Sequence, residues 1–527
     1  MLGPDHPNTL AIRGNLAGVL RESGRVEEAI EVFQAVLADC LRVLGDDHPD
    51  TLAIRGNLAG ALRESGRVEE AIEVFQAVLA DCLRVLGDDH PDTLAIRGNL
   101  AGALRESGRV EEAIEAYQMV LTDRLRVLGD DHPDTLAIRG NLAGALRESG
   151  RVEEAIEVFQ AVLADCLRVL GDDHPGTLAI RGNLAVALRE SGRVEEAIEA
   201  SQAVLADCLR VLGDDHPDTL AIRGNLAGAL RESGRVEEAI EAYQMVLTDR
   251  LRVLGDDHPD TLTTRDSLAG ALRESGRVEE AIEAYQMVLT DRLRVLGDDH
   301  PGTLATRHNL AVALRESGRV EEAIEASQAV LADCLRVLGD DHPGTLTTRD
   351  SLAGALRESG RVEEAIEAYQ TVLTDCLRAL GSNHPTTLKT RDDLVKMLNA
   401  TGRFDETASV YQSVVEARLS SSDPDDLDVL DARDDLAWAL GRAKRFDEAL
   451  ADYLKLIAEY ERVMGVDDPD TLTARNNYIC TLKNSGKIVE AVALYRELLS
   501  DVKRTLGADD EFAQEITQRL SEWGSDL

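Results

Sequence analysis

The residues best suited to chemistry in this 527-residue chain recur at one fixed spacing. Ten histidines, each followed by proline, stand 42 residues apart within motifs such as GDDHPDT. Histidine and aspartate are metal ligands, but donors one repeat apart lie too far from each other to share an ion at about 2 Å. The linker carboxylates also lack the spacing of an EF-hand loop. We therefore expect no metal site and no cofactor, and we expect the histidines to cap helices. The ten are His6, His48, His90, His132, His174, His216, His258, His300, His342 and His384.

The cysteines follow the same period. Their odd number and lack of clustering argue against a secreted disulfide framework, so we expect a reducing, cytoplasmic environment. They fall on an apolar helix face, where free cysteine behaves as a small hydrophobe. Arginine replaces cysteine in three units, which indicates two packing variants of one site: Arg124, Arg250 and Arg292, in units that carry Tyr117, Tyr243 and Tyr285. The seven cysteines are Cys40, Cys82, Cys166, Cys208, Cys334, Cys376 and Cys480.

Motifs and charge exclude several classes of function. The chain contains no P-loop, HExxH, CxxC or GxSxG motif, and copies of one unit leave little room for a catalytic constellation, so we expect no enzyme. The net charge of −41 opposes phosphate backbones and anionic lipid, so we expect neither nucleic acid nor membrane partners. No apolar run approaches the roughly 18 residues of a membrane span, and no signal peptide is visible.

Twelve units of 42 residues fill most of the chain, and the first two complete units differ at only two positions. A fixed period in this range indicates a solenoid. We expect nine near-identical units in residues 1–383, of which 6–47 is the first. Three divergent units follow in residues 384–509. Residues 510–527 are expected to form a capping helix and tail.

Each unit encodes two helices, as the second unit illustrates. Gly45 ends one helix, and capping residues followed by Pro49 begin the next, helix A, which is predicted to run to Ser65. Gly66 breaks the chain before helix B, which begins near Val68. A single apolar face is predicted on helix B. It comprises Val68, Ala71, Ile72, Phe75, Leu79, Cys82 and Leu86.

Six positions of this unit resemble the tetratricopeptide repeat (TPR) signature: Leu58, Ala59, Leu62, Gly66, Ala71 and Phe75. The unit length and the link LGDDHPDTL resemble the kinesin light chain type of TPR. One departure is Arg55, where the family often has a large apolar residue. The resemblance implies an all-α fold, an α-solenoid in which about twelve helix pairs and a C-terminal capping helix form a right-handed superhelix. It implies a concave groove, lined by A helices, that binds a peptide or protein without catalysis.

Pairs of glycine four residues apart interrupt the A helices, for example Gly56 with Gly60 and Gly98 with Gly102. Each interior glycine costs about 0.8–1.0 kcal/mol relative to alanine. On a helical wheel both fall on the flank that lines the groove in TPR proteins. One interpretation is that a ligand backbone approaches this bare strip closely. The other is tight packing of one A helix against the next, and the two do not exclude each other.

Larger residues replace these glycines toward the C-terminus. This predicts a smooth groove in the N-terminal half and an acidic, side-chain-rich groove in the C-terminal half. Trp438, at the second glycine position, is the candidate ligand anchor, because aromatic residues dominate binding hot spots; the alternative is that it packs against the neighbouring unit. The groove candidates at the first glycine position are Asp266, His308, Asp350, Asp392, Asp434 and Asn476.

Two polar ladders also follow the period. Asparagines such as Asn57 and Asn99 stand where kinesin light chain repeats carry asparagines that can bond a ligand's backbone amides; the alternative is hydrogen bonding between repeats. An arginine within the apolar face of helix A must be paired if it is buried. We interpret it as a structural ion pair between helices, with an anion ladder for an acidic peptide as the alternative. This ladder includes Arg55, Arg97, Arg139, Arg181 and Arg223.

The two ends of the chain differ. The opening MLGPDHP matches the end of a helix B and its linker, which predicts a missing N-terminal neighbour, whereas residues 511–523 read as a final amphipathic helix. The leading hypothesis is a scaffold that holds a peptide or protein. An alternative is the ligand-sensing, autoinhibitory region of a larger STAND-type signalling NTPase, as in long bacterial TPR arrays, with an effector domain upstream. A third is a self-associating spacer. The sequence does not predict the oligomeric state.

Overall fold

In a computed structural model of the protein, which describes residue 3 and residues 5–524, the chain forms twenty-five α-helices. Odd-numbered helices up to α23 are the A helices, and even-numbered helices are the B helices. Part of the opening motif and the predicted tail at 525–527 lie outside the described residues. The helices are α1 Pro7–Glu22, α2 Val26–Val43, α3 Pro49–Glu64, α4 Val68–Val85, α5 Pro91–Glu106, α6 Val110–Val127, α7 Pro133–Glu148, α8 Val152–Val169, α9 Pro175–Glu190, α10 Val194–Val211, α11 Pro217–Glu232, α12 Val236–Val253, α13 Pro259–Glu274, α14 Val278–Val295, α15 Pro301–Glu316, α16 Val320–Val337, α17 Pro343–Glu358, α18 Val362–Ala379, α19 Pro385–Ala400, α20 Phe404–Ser421, α21 Leu427–Arg442, α22 Phe446–Val463, α23 Pro469–Asn484, α24 Ile488–Thr505 and α25 Glu511–Gly524.

These helices form two compact units, residues 1–275 with α1–α13 and residues 276–527 with α14–α25. In the first unit, α3 packs against α2 and α4 and touches the next A helix, α5. In the second unit, α17 packs in the same way against α16 and α18 and touches α15. Each helix thus contacts only its near neighbours along the chain, as expected of a solenoid. The predicted all-α solenoid is confirmed.

The linker chemistry sets where each A helix begins. His48 has an extended backbone, and its Nδ1 accepts a hydrogen bond of 3.1 Å from the backbone N–H of Asp50. Pro49 follows as the first helical residue, where its missing N–H costs nothing. Gly66, with φ of 84°, forms the turn between α3 and α4, because this left-handed conformation favours glycine. Helix α3 therefore occupies the range predicted from the sequence.

Apolar residues of both helix types form the core between them. In the second repeat Leu62, Ile72 and Phe75 are almost fully buried, and the small residues Ala59 and Ala71 have no exposed surface. Burying a side chain such as Phe75 contributes about 1.5–3 kcal/mol. The cysteines belong to this core: all seven are unpaired thiols, and all except the half-buried Cys480 are buried.

The last helix covers the end of the second unit. Helix α25 packs against α24, with Ala513 and Ile516 fully buried. Trp523 stacks on Tyr495 with 4.8 Å between the ring centroids and 13° between the ring planes. The final helix predicted from the sequence is therefore present, and it shields the apolar face that α24 would otherwise expose.

Candidate ligand surface on the A helices

Each A helix keeps one stripe of residues exposed to solvent. In α3 the stripe contains Asp50, Ala53, Asn57 and Glu64, while Leu58 on the other side is buried. The spacing of three, four and seven residues places these side chains on one helical face. We call this stripe, repeated on successive A helices of each unit, the A-helix surface. It is the surface on which the sequence-predicted groove residues can be located.

Gly56 lies beneath this surface. It is buried against Ile96 of α5, whose Cδ1 atom is 2.5 Å from the place where a Cβ on Gly56 would stand. For Gly98 the corresponding atom, Ile138 Cδ1, is 3.3 Å away. At these positions the first glycine of the pair thus makes room for the isoleucine of the next A helix. The geometry favours the packing interpretation at these positions, which a wheel of one helix alone does not reveal.

From Gly60 onward, the second glycine of the pair lies under an arginine of the preceding repeat. A Cβ on Gly60 would stand 3.3 Å from Nη1 of Arg21, and one on Gly102 would stand 3.2 Å from Nη1 of Arg63. Arg63 also reaches Glu106 of the next A helix, with 3.5 Å between Nε and Oε2. Each arginine therefore crosses the small glycine surface and links two A helices. The predicted bare strip is covered here by a side chain of the protein itself.

Five asparagines of the ladder remain exposed in the first unit, whereas Asn225 is half-buried. Asn57 and Asn99 lie on the A-helix surface, as do Asn15, Asn141 and Asn183. Within residues 5–275, none of these five carboxamides forms a hydrogen bond with the protein. In the second unit Asn477 differs, because its Nδ2 donates to Asp434 Oδ2 at 3.1 Å. The first unit therefore presents a row of unused hydrogen-bond donors and acceptors.

The arginine ladder forms ion pairs within each repeat. Arg55 Nη1 donates to Asp81 Oδ2 at 2.6 Å, which joins helix A to helix B. Arg84 Nη2 donates to the other oxygen of Asp81 at 3.0 Å and to Asp47 Oδ1 at 2.5 Å. The hydrogen bonds from both arginines hold the pKa of Asp81 below its usual range. The same pairing joins Arg97 to Asp123, Arg139 to Asp165, Arg181 to Asp207 and Arg223 to Asp249.

In the second unit the larger residues at the first glycine position contact the next A helix. Asp350 accepts hydrogen bonds from Lys389 Nζ at 2.5 Å and Thr390 Oγ1 at 3.0 Å. His308 Nδ1 lies 3.3 Å from Thr348 Oγ1. Threonine here stands where the first unit has isoleucine, so polar pairs replace the glycine and isoleucine pairs.

The remaining candidates at this position have other partners. Asp392 accepts a bond of 2.8 Å from Arg391 Nη2, and Asn476 Oδ1 accepts one of 2.6 Å from Tyr495. Burial raises the pKa of Asp434 to about 6. In the first unit, Asp266 is half-buried. The carboxylate of Asp392 is therefore the most exposed of this set.

Trp438 is partly exposed on the second unit. Its side chain retains 39% of its accessible surface, and Arg442 Cζ lies 5.7 Å from the centre of a Trp438 ring. The same guanidinium lies 4.8 Å from the ring centre of Phe404. The indole is held by a cation–π contact and still presents an apolar edge to solvent.

Pockets open between consecutive A helices beside this surface. In the first unit, pockets of about 170, 140 and 360 Å³ lie between α1 and α3, α3 and α5, and α7 and α9. One of about 220 Å³ lies between α15 and α17 in the second unit. A buried cysteine of helix B lines each pocket, and asparagines of both A helices line the three pockets of the first unit. These cysteines are Cys40, Cys82, Cys166 and Cys334.

Where arginine replaces the cysteine, its side chain enters the space between two A helices. Arg124 Nη1 donates to the backbone oxygen of Asp134 at 2.7 Å, and its Nη2 lies 3.6 Å from the Cβ position of Gly98. The same bond joins Arg250 to Asp260, Arg292 to Gly302 and Arg418 to Asp428. Arg418 escaped the sequence analysis because its unit is divergent, although it keeps the 42-residue register.

No group of three His, Cys, Asp or Glu side chains among the described residues is close enough to hold one metal ion. No helix formed by those residues combines the length and apolar character of a bilayer crossing.

Comparison with known proteins gives the family. A tetratricopeptide repeat model matches residues 8–81, 50–124, 99–164, 134–206, 179–251, 219–293, 268–332, 309–376 and 351–420, and a second tetratricopeptide repeat model matches 429–470. No curated protein matches the chain significantly.

Among solved structures, a Podospora anserina putative kinesin light chain with nearly identical TPR-like repeats is 33% identical, with 39% of this chain and 97% of that chain covered and a TM-score of 0.35. BtubC (BKLC) from P. vanneervenii is 19% identical, with 44% of this chain and 94% of that chain covered and a TM-score of 0.38.

The overlapping matches of the first repeat model together span residues 8–420. The chain belongs to the tetratricopeptide repeat family.

Proposed function

We propose that this protein is a non-catalytic scaffold whose A-helix surface binds an extended segment of a peptide or protein. TPR arrays are generally protein–protein interaction scaffolds. The observation that carries the finer proposal is the row of exposed, unbonded asparagines in the first unit, represented by Asn57 and Asn99. No step of this proposal requires a cofactor or a bond-making reaction.

The chemistry of asparagine suits a polypeptide main chain. A carboxamide offers an acceptor oxygen and two donor hydrogens, so it can pair with both the C=O and the N–H of a peptide group. Such pairing is independent of the ligand's side chains. Because each asparagine is fixed on a packed helix, little backbone entropy is lost on binding. The pockets beside the ladder would then distinguish between ligand side chains.

The cysteines support a further part of the proposal, a reducing compartment such as the cytoplasm. Seven unpaired thiols, most of them in the core, fit a protein that does not depend on disulfides. Burial raises the pKa of Cys376 to about 11, which keeps this thiol protonated and unreactive.

The test is a selection of phage-displayed random dodecapeptides against the full chain, followed by fluorescence anisotropy with synthetic copies of the enriched peptides. Removing two carboxamides with Asn57→Ala and Asn99→Ala should weaken binding at least about tenfold. Alanine favours the helix more than asparagine does, so stability should not fall.

The matched control is Gln76→Ala with Gln118→Ala, which removes two exposed, unbonded carboxamides from the B helices of the same repeats. The control should bind like the wild type. If no peptide is enriched, or if neither the asparagine double variant nor the corresponding Asn141→Ala with Asn183→Ala weakens binding, the A-helix surface is not the binding site.

A second candidate function, self-association, rests on a different observation. On α1 the side chains of Ile12 and Leu16 are 66% and 53% exposed, whereas the equivalent Ile54 and Leu58 are 8% and 7% exposed. A second copy of the chain could cover this face. Sedimentation velocity at increasing concentration would show association that Ile12→Glu abolishes; a monomer at every concentration would exclude it.

A further inference from the structure

We propose that the pocket between α7 and α9 selects an aromatic side chain, flanked by basic residues, from an extended polypeptide segment. This inference rests on the proposed function and adds the chemical class of the partner. The pocket measures about 360 Å³ and is lined by the apolar side chains of Leu136, Leu170 and Ile180, with Cys166 also in its wall. An apolar cavity of about 150 Å³ accommodates benzene, so this pocket has room for a complete aromatic side chain.

The larger pockets have one wall residue in common. Cys166 of the fourth repeat lines the pocket between α7 and α9. Gly176, which follows ten residues later on the next A helix, also lines it. In the two narrower pockets of the first unit, of about 170 and 140 Å³, aspartate stands at this place, as Asp50 and Asp92. The pocket of about 220 Å³ in the second unit again has glycine, Gly344. Glycine instead of aspartate thus accompanies the larger pockets.

The neighbouring site between α5 and α7 is filled by the protein itself. Arg124 extends into it and donates to the backbone oxygen of Asp134. A ligand side chain has no comparable space there, so the wide pocket sets the register of a segment that runs along the asparagine ladder. Asn141 and Asn183 stand at the rim of the wide pocket and are free to bond the main chain beside the inserted side chain.

The charge of the site favours basic residues beside the aromatic one. The carboxylate of Asp134, also a wall residue, is 64% exposed, and neither lysine nor arginine lines the pocket. The whole chain carries a net charge of −41, which attracts cationic segments at a distance. An acidic segment would be repelled by this net charge.

Two substitutions should close the pocket, Cys166→Arg and Gly176→Asp. Each of them creates a pair of residues at these two positions that other repeats already contain. Their charges are opposite. Cys166→Arg adds a positive charge, and Gly176→Asp adds a negative one. If both weaken the binding of one peptide, loss of space is the cause and not a change in electrostatics.

The probes are the dodecapeptides selected against the wild-type chain. Enriched sequences should combine an aromatic residue with lysine or arginine, and Cys166→Arg and Gly176→Asp should each weaken their binding at least about tenfold. Changing the aromatic residue of the peptide to alanine should abolish the difference between wild type and variants. Cys82→Arg, which closes a narrow pocket, should change affinity less than about threefold, and Arg124→Cys should not weaken binding.

Two results would overturn the inference. One is a set of enriched peptides without aromatic residues, and the other is unchanged affinity in both pocket-closing variants. If the peptides still lose affinity to Asn141→Ala combined with Asn183→Ala, the scaffold function stands while the pocket assignment fails. If no peptide binds the wild type, both fail together.

Discussion

The Cδ1 atom of Ile96 lies 2.5 Å from the point where a Cβ on Gly56 would stand. Real Cβ atoms do not approach so closely, so the two residues form a size-matched pair between consecutive A helices. The pair recurs in the first unit as Gly140 with Ile180, also at 2.5 Å. In the second unit Asp350 faces Thr390 in the same register, at hydrogen-bond distance. In these repeats two positions, 40 residues apart, form the contact between consecutive A helices.

The first prediction concerns two glycines with unequal space. Gly56→Ala should leave the free energy of unfolding nearly unchanged, because the shift forced on the Ile96 Cδ1 methyl offsets the gain in helix propensity. Gly182→Ala should raise it by about 1 kcal/mol, because its new Cβ would lie at least 3.5 Å from Ile222. Urea unfolding followed by circular dichroism measures both. Equal stabilisation by the two substitutions would contradict the size-matched pair.

The second prediction concerns the loss of stability at acidic pH. The pKa of Asp81 is lowered in the folded state, first by the hydrogen bond from Arg55 and then by that from Arg84. The ionised Asp81 therefore makes its full contribution to the free energy of unfolding above the pKa of the unfolded state, near 4. That contribution is lost as the pH falls through the lower pKa of the folded state. At pH 7, Asp81→Asn should destabilise the protein by about 1 kcal/mol, since the pair is partly solvent-screened. That difference should shrink in urea titrations as the pH is lowered from 4.

A suitable control is Asp46→Asn in the linker. Asp46 is exposed and has no ion-pair partner among the residues that the structure describes. Its substitution should leave stability unchanged at pH 7 and below pH 4. An equal effect of the two substitutions at pH 7 would mean that net charge, and not the arginine pairing, is responsible.

The third prediction concerns Asp434, whose negative charge should lower stability, whereas that of Asp81 raises it. Burial raises the pKa of Asp434 to about 6, and the Asn477 hydrogen bond only partly offsets this. The folded state therefore binds the proton more tightly than the unfolded chain, and stability falls as pH rises from about 4 to 6. Asp434→Asn should stabilise the protein by about 1–3 kcal/mol at pH 7.5 and have no effect at pH 4. Thermal unfolding at the two pH values tests this.

Asp350→Asn provides the contrast for Asp434. Asp350 is paired with Lys389 and Thr390, so removing its charge should lower the melting temperature at pH 7.5. If both substitutions shift the melting temperature in the same direction, the carboxylates are not in the different environments described above.

The fourth prediction compares the two tryptophans. Trp523 is 8% exposed and stacked on Tyr495, whereas Trp438 is 39% exposed. Trp523→Ala should lower the stability of α23–α25 by about 3–5 kcal/mol, and Trp438→Ala should cost less than about 1 kcal/mol. Hydrogen exchange measured by mass spectrometry locates the loss. Unchanged protection in α24 after Trp523→Ala would show that α25 does not stabilise its neighbour.

The helix boundaries could be predicted because their causes are local. The His48 cap, Pro49 and the left-handed Gly66 act within a few residues of one another, and α3 begins and ends where they require. The core positions of α4 follow from a single helical period. The predicted final helix also needs only its own amphipathic pattern and is observed.

The candidate site was harder to predict because its geometry depends on neighbouring repeats. Gly56 and Asn57 are adjacent in sequence, yet Ile96 of the next repeat buries only the glycine. The aspartate that pairs with Arg55 lies 26 residues away in the sequence. Many other acidic residues of the repeat are equally plausible partners when only the sequence is considered. The insertion of Arg124 between α5 and α7 depends on the distance between two A helices, which no single unit encodes.

The glycine and isoleucine pair also has a consequence for inheritance. Between Gly14 and Ile222 each repeat carries both the glycine and the isoleucine of this contact. Any of these repeats can therefore follow any other. Unequal recombination within the gene can delete or duplicate whole repeats here without producing a mismatched junction. Beyond this stretch Thr264 replaces the isoleucine, and exchange across that boundary brings unlike residues into this contact. Length variation among alleles is therefore expected among the N-terminal repeats, where each event adds or removes one whole repeat.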